Sequence, residues 1–317
     1  MPLISGVMEL RAFQSRFSTH EACRAHLEAL RWSSGVTCPK CGVTDAADRL
    51  ATRPDIWRCN ACRADFRATD GTPMEGTHLP LNAWFLAIYL LATGGKRISS
   101  NKLKDRLGVS YKTAWFLGHR VRQMLVDGSA TKLTGIVEAD ETSIGGRKRK
   151  RRDDDEDQTG APSHRGRGRA RSTVLVAVER KARAKAKRIA SQGIDDISPP
   201  IWACISPGAT LMTDELPAYN WIGRKLERHL KVHHASEEYV RTDARTGSGV
   251  HVNTAACFNR QTKRSIIGVR HWFSAKHCDR YLTEISVRWN HRRASFSVRI
   301  NHALLSGRRL LWKDLVA

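Results

Sequence analysis

At 317 residues with 41% hydrophobic side chains, the chain is long enough for about two compact units and apolar enough to fill their cores, which excludes wholesale disorder. Its 54 Lys and Arg against 31 Asp and Glu leave a formal charge of +23; such an excess attracts polyanions, with nucleic acid the leading partner and a ribosomal or membrane-surface role the competitor. The start, MPLISGVMELRAFQSRF, lacks a basic stretch followed by an apolar run, and the longest apolar stretch, Ala83 to Ala92, is too short to span a bilayer, so the expected location is cytoplasmic, without membrane contact.

Phe17 to Leu30 reads as a helix, with Ser18 or Thr19 as N-cap and Glu21 in its first turn. Next come two CxxC knuckles, Cys38-Pro-Lys-Cys41 and Cys59-Asn-Ala-Cys62, with 17 residues between them. Each knuckle brings two thiolates to one ion, and a pair of knuckles completes the tetrahedral shell that zinc (Zn2+) favours. Four thiolates leave no position for water, so the zinc is expected to be structural. The other cysteines of the eight are scattered, as packing residues are.

Pro80 opens a second helix carrying Trp84, Phe85, Ile88, Leu90 and Leu91. Ser99 to Leu125 then shows two helical patterns separated by Gly108-Val109-Ser110, the spacing of a helix-turn-helix. Leu103 and Leu107 mark one apolar stripe; Ala114, Leu117, Val121 and Leu125 mark the next, with Ser110 as its N-cap. The opposite face carries Tyr111, Lys112, Trp115, His119 and Arg122, a surface suited to a DNA major groove, although an ordinary helical hairpin has the same pattern.

From Gly135 the periodicity changes to strands: Gly135–Asp140, Thr173–Glu179 and Ala209–Asp214. Between the first two lies a tract of RKRKRR, DDDED and GAPSHRGRGRAR, about 146–171, whose lack of apolar side chains predicts a disordered charged loop. The expected organisation is residues 1–75 as helix and ribbon, 76–130 as the helix-turn-helix-like region, and 131–317 as an α/β catalytic domain. GIVEADETSIGG puts Asp140 at a strand end with Glu138 on the same face, and ATLMTDELPAY does the same for Asp214. Carboxylates at neighbouring strand ends hold divalent cations against a phosphate, with magnesium (Mg2+) or manganese (Mn2+) suited to such oxygen ligands. An Asp after a strand is also a common turn residue. Glu138 and Glu141 could assist at the site, although Glu141 is expected rather to face solvent, and Asp243 and Glu284 are reserve acids.

The order RWSSGVTCPKCG, GTPMEGTHLPLNAWFLAIYLLA, GIVEADETSIGG, TDELPAY and HVNTAACFNRQTKR…GVRHWFSAKHCDRYLTEISVRWNHRR resembles the zinc-ribbon, DDE-type insertion-sequence transposases of the ISXO-like group. The resemblance runs from about Phe17 to near the C-terminus. It implies a ribonuclease-H-like core behind a four-cysteine zinc ribbon, metal-dependent strand cleavage and transfer, terminal inverted repeats and target DNA as partners, and a homo-oligomer on DNA at the nucleoid. It places Asp140 and Asp214 as the first two catalytic residues. The family's helix begins H-x-N-T-x-E, and its third ligand is the Asn or the Glu; here it reads His251-Val-Asn253-Thr-Ala-Ala256, so Asn253 is the expected third ligand. Lys263 matches the lysine that follows. Ten residues of helix, about 15 Å, separate it from Asn253, which suggests a grip on DNA phosphate rather than a place in the metal shell. Two other functions compete: a DNA-binding regulator with a decayed core, favoured by Ala256, and a zinc hydrolase, disfavoured by the closed set of four thiolates.

Overall fold

The computed structural model describes residues 10–93, 98–126, 131–144, 172–270, 274–305 and 309–316. The charged tract at 146–171 lies outside the described residues. The chain divides into two compact units, residues 1–130 with 283–317, and residues 131–282.

The first unit opens with α1 (Leu10–Arg16) and α2 (His20–Arg31). Thr19 caps α2 as expected, its hydroxyl accepting from the Ala22 N–H at 3.2 Å, and Glu21 sits favourably in the first turn. Strands β1 (Ala47–Arg49), β2 (Trp57–Cys59) and β3 (Asp65–Phe66) form a small antiparallel sheet in the order β1-β2-β3. After Pro80, α3 (Leu81–Thr93) buries Trp84, Phe85, Ile88 and Leu91 completely. Next come α4 (Ser100–Leu107) and α5 (Tyr111–Met124), N-capped by Ser99 and Ser110. Gly108 ends α4 at φ 66°, the left-handed turn that a residue without Cβ makes easily.

The second unit is built on β4 (Ile136–Ile144), β5 (Ser172–Glu179), β6 (Ala184–Ile189), α6 (Ile194–Cys204), β7 (Thr210–Thr213), α7 (Ala218–Gly223) and β8 (Arg228–Lys231). The sheet order is β6-β5-β4-β7-β8. Its first three strands are antiparallel, while β4, β7 and β8 are parallel, the ribonuclease-H-like arrangement. A short hairpin, β9 (Arg241–Thr242) and β10 (Gly249–Val250), leads into α8 (Asn253–Ser265). Alternation along β4 divides its side chains. Val137 and Ala139 enter a core with Ile197, Ile201, Tyr219 and Ile222 from α6 and α7, whereas Glu138 and Asp140 meet α8.

Two strand expectations change. β4 continues past Asp140 because β5 pairs with it from Val137 to Ile144, so Asp140 lies in mid-strand rather than at an end. β6, AKAKRI, escaped the sequence reading because an edge strand needs few apolar side chains.

The boundary between units falls within α9 (Cys278–Asn290), which is followed by α10 (Phe296–Leu305) and α11 (Lys313–Val316). Ile300, Ala303 and Leu304 of α10 belong to the same core as α3 and α5, so residues from 283 onward join the N-terminal unit instead of the α/β one. This corrects the face expected for DNA on α5. His119 and Arg122 are 0% and 3% exposed. The Arg122 guanidinium donates to the buried Glu284 carboxylate at 2.8 Å, and Trp115 packs edge-on against His119 and Trp312. Only the start of that face, Tyr111 and Lys112, is exposed, with the Lys112 ammonium 4.7 Å from the Trp312 ring centroid. A charged residue on a helical window looks solvated until its distant partner is known, and Glu284 is such a partner.

Candidate active site

Register brings the first two acids together. Glu138 pairs with Met212 across the parallel β4–β7 ladder, so two residues further along each strand Asp140 and Asp214 stand side by side. Neighbouring strands lie about 4.8 Å apart, within reach of one ion. Asp214 is held by the Leu216 N–H, which donates to its Oδ1 at 3.1 Å. Thr213, just before it, bonds to His229 Nε2 at 2.9 Å.

Glu141 is the third acid of the cluster, so of the two places expected for it the one beside the aspartates holds and the solvent-facing one does not. One oxygen each from Asp140, Glu141 and Asp214 lies within 4.8 Å of the others. The buried Tyr219 hydroxyl donates to the Glu141 carboxylate. Glu141 is raised to about 7, chiefly by burial; the Tyr219 bond opposes this and the two aspartates add to it. Asp140 is raised chiefly by burial; the Asn259 hydrogen bond opposes this and Asp214 adds to it.

The placement of α8 explains the remaining contacts. Glu138, fully buried, accepts from the N–H groups of Thr254 (2.6 Å) and Ala255 (3.0 Å) and from the Thr254 hydroxyl (2.9 Å), capping the helix with a carboxylate. Arg180 bonds to the same carboxylate at 2.6 Å and to the carbonyls of Gly249 and His251, joining the hairpin to the strand. Two strand residues advance about 6.7 Å and four helix residues about 6 Å, so a helix pinned at Glu138 presents its next turns to Asp140 and then Thr142. Asn259 Nδ2 accordingly donates to Asp140 Oδ2 at 2.8 Å. Lys263 lines a cleft of about 580 Å³ with Asp140, Glu141, Thr142, Ala256, Arg260 and Arg264, and its charge favours the ionised form of Asp140.

Asn253 sits at the exposed start of α8, where its N–H donates to His251 Nδ1 at 3.3 Å. The carboxamide that reaches Asp140 is that of Asn259. Lys263 is nearer the acids than its distance from Asn253 implied. The reserve acids are engaged elsewhere: Asp243 with Arg228 at 2.5 Å, and Glu284 with Arg122. Hard oxygen donors this close together suit a divalent cation such as magnesium.

The ribbon forms a second centre. Cys38, Cys41, Cys59 and Cys62 bring their sulfurs within 4.8 Å of one another, with Cys38–Cys62 at 3.7 Å and Cys41–Cys59 at 3.6 Å. A tetrahedral zinc with bonds of about 2.3 Å puts its sulfurs about 3.8 Å apart, so the set fits structural zinc. The Cys62 N–H lowers Cys59 against burial, which favours the thiolate that zinc needs. Arg58 pairs with Asp65 at 2.7 Å and Trp57 donates to Glu28 at 3.2 Å, so both brace the ribbon.

Residues 132–290 match the family described as ISXO2-like transposase domain, and residues 18–65 the family described as transposase zinc-ribbon domain. A curated relative from Halobacterium salinarum, "Uncharacterized protein in transposable element ISH50", is 32% identical over 118 residues, which cover 36% of this chain and 38% of that relative. No solved structure matches the chain. A zinc ribbon, a mixed sheet holding paired aspartates and a family match across half of the sequence lead to one assignment: the chain belongs to the ISXO2-like transposases.

Proposed function

We propose that the chain is a DNA transposase that cleaves strands at the inverted repeats of its element and joins the freed 3′-hydroxyl to target DNA. The observation that carries this reading is the meeting of Asp140, Glu141 and Asp214, the first two of which line a cleft with Arg260, Lys263 and Arg264. Asp140 and Asp214 would hold magnesium or manganese, which would supply electrostatic stabilisation to the attacking and leaving oxygens of an in-line displacement. Lys263, with Arg260 and Arg264, binds the phosphates on either side of the scissile bond and holds the strand over the acids. Asn259 orients Asp140, and Glu138 with Arg180 keeps α8 in place above it. Tyr111 and Lys112 contribute DNA contacts from the other unit, whose ribbon is stabilised by zinc. Two element ends must be held at once, so the active form is an oligomer on DNA.

The test is strand cleavage of cognate end DNA with magnesium. Asp140→Ala and Asp214→Ala should each abolish cleavage while DNA binding persists. Ala256, which offers no oxygen to the cleft, favours the second reading of a DNA-binding regulator. That reading requires the wild-type chain to bind ends without cutting them in magnesium or manganese.

A further inference from the structure

We propose that Glu141 and the carboxamide oxygen of Asn259 complete the divalent-cation site, giving this chain three carboxylates and one amide oxygen drawn from β4, α8 and the residue after β7. The inference rests on the function proposed above and names the ligands of that same site. Three carboxylate oxygens lie within 4.8 Å of one another, two of them from consecutive residues of one strand. Acidic residues also cluster without an ion, but the buried Asn259 amide beside them points to one.

Asn259 lines the cleft yet is only 5% exposed. Its Nδ2 is spent on Asp140 at 2.8 Å, while its Oδ1 is buried with no donor. A buried amide oxygen without a donor is costly, and a cation at this position is one of the few things that explains it. Nitrogen and oxygen of a carboxamide are about 2.3 Å apart, so Oδ1 lies within about 5 Å of Asp140 Oδ2. Tyr219 fixes Glu141 from behind, which leaves the other Glu141 oxygen for the ion. No other α8 side chain lining the cleft offers an oxygen: Ala256 has none, and Arg260, Lys263 and Arg264 are cations.

The experiment measures manganese binding to the full chain without DNA, from the electron paramagnetic resonance signal of free Mn2+. Asp140→Asn and Asp214→Asn should abolish binding. Glu141→Gln and Asn259→Ala should each weaken it by about 10- to 100-fold, on the scale of shell residues around metals. Ala256 lines the same cleft one turn from Asn259, so Ala256→Glu added to Asn259→Ala should restore affinity to near wild type. Should Asn259→Ala melt early, Asn259→Asp keeps the volume and an oxygen, and it should bind manganese at least as tightly as wild type. A residue that merely orients Asp140 predicts the reverse, because the donor is lost and two carboxylates then repel. Wild-type affinity in Glu141→Gln and Asn259→Ala, with binding lost in the two aspartate variants, overturns this inference and leaves the proposed function standing. Absence of manganese binding in the wild type overturns both.

Discussion

Asp140 and Glu141 are consecutive, yet one turns to Asn259 of α8 and the other to Tyr219 of α7, so neither contact is visible in the local sequence. The paired aspartates were legible because each follows a branched-apolar run; Asn259 was not, because Asp140 lies 119 residues before it, and Glu141 was only one of two acids that could assist, because its partner Tyr219 lies 78 residues on. Burial of Glu141 has a consequence in pH. A carboxyl whose native value is about 7 holds its proton more tightly folded than unfolded. Its contribution is therefore fully present below the unfolded value and is lost as pH rises through the native one. Without divalent cation, the melting temperature should fall more steeply from about pH 5 to about 7.5 in the wild type than in Glu141→Gln. His229, held down to about 4 by burial and then by Lys231, acts in the opposite direction between about pH 4 and 6.5. Both proteins share it, so their difference isolates Glu141; coincident curves would contradict the buried, proton-holding acid. A packing prediction belongs here too. A Cβ at Gly223 would lie 2.6 Å from His229 Cβ, too close to accommodate without moving β8 against α7. Gly223→Ala should cost about 1–3 kcal/mol in urea unfolding, in line with overpacked cores.

At the scale of elements, α8 matters most, because its first turn is tied to Glu138 and its later turns carry Asn259 and Lys263. Glu138→Ala leaves Arg180 without its buried carboxylate and the helix without its cap. It should destabilise the catalytic unit by about 3–5 kcal/mol, read from the unfolding midpoint in urea, and should impair cleavage even where folding persists. An unchanged midpoint would mean that α8 is held by its apolar face alone. The ribbon is the element read most fully from sequence, since two CxxC knuckles define their own geometry. Its small core of Cys38, Cys59 and Phe66 is too slight to stand without the metal. Cys59→Ser should lose zinc on elemental analysis and alter the fluorescence of Trp32 and Trp57, which pack against each other at 5.6 Å, while far-UV circular dichroism of the other elements persists. The α5 helix shows the opposite case. Its caps and apolar stripe were legible, but the burial of His119 and Arg122 was not, because the buried carboxylate that meets Arg122 arrives 162 residues later.

For the whole molecule, the charge of +23 sets the terms of DNA binding. Affinity should fall steeply with salt, and Lys263→Ala should lower the slope of log affinity against log salt by about 0.9, the share of one phosphate contact. An unchanged slope would remove Lys263 from the phosphate grip. The compact α/β unit spans residues 131–282 where 131–317 was expected, because the periodicity of α9 is continuous across the boundary between units. The central claim is that residues far apart in the chain hold a cation beside the scissile phosphate. Anomalous diffraction from crystals soaked in manganese tests it most directly, with the zinc of the ribbon as internal standard. A manganese peak is expected at coordinating distance from Asp140, Glu141 and Asp214; a clear zinc peak with no manganese between those acids would refute the shared cation.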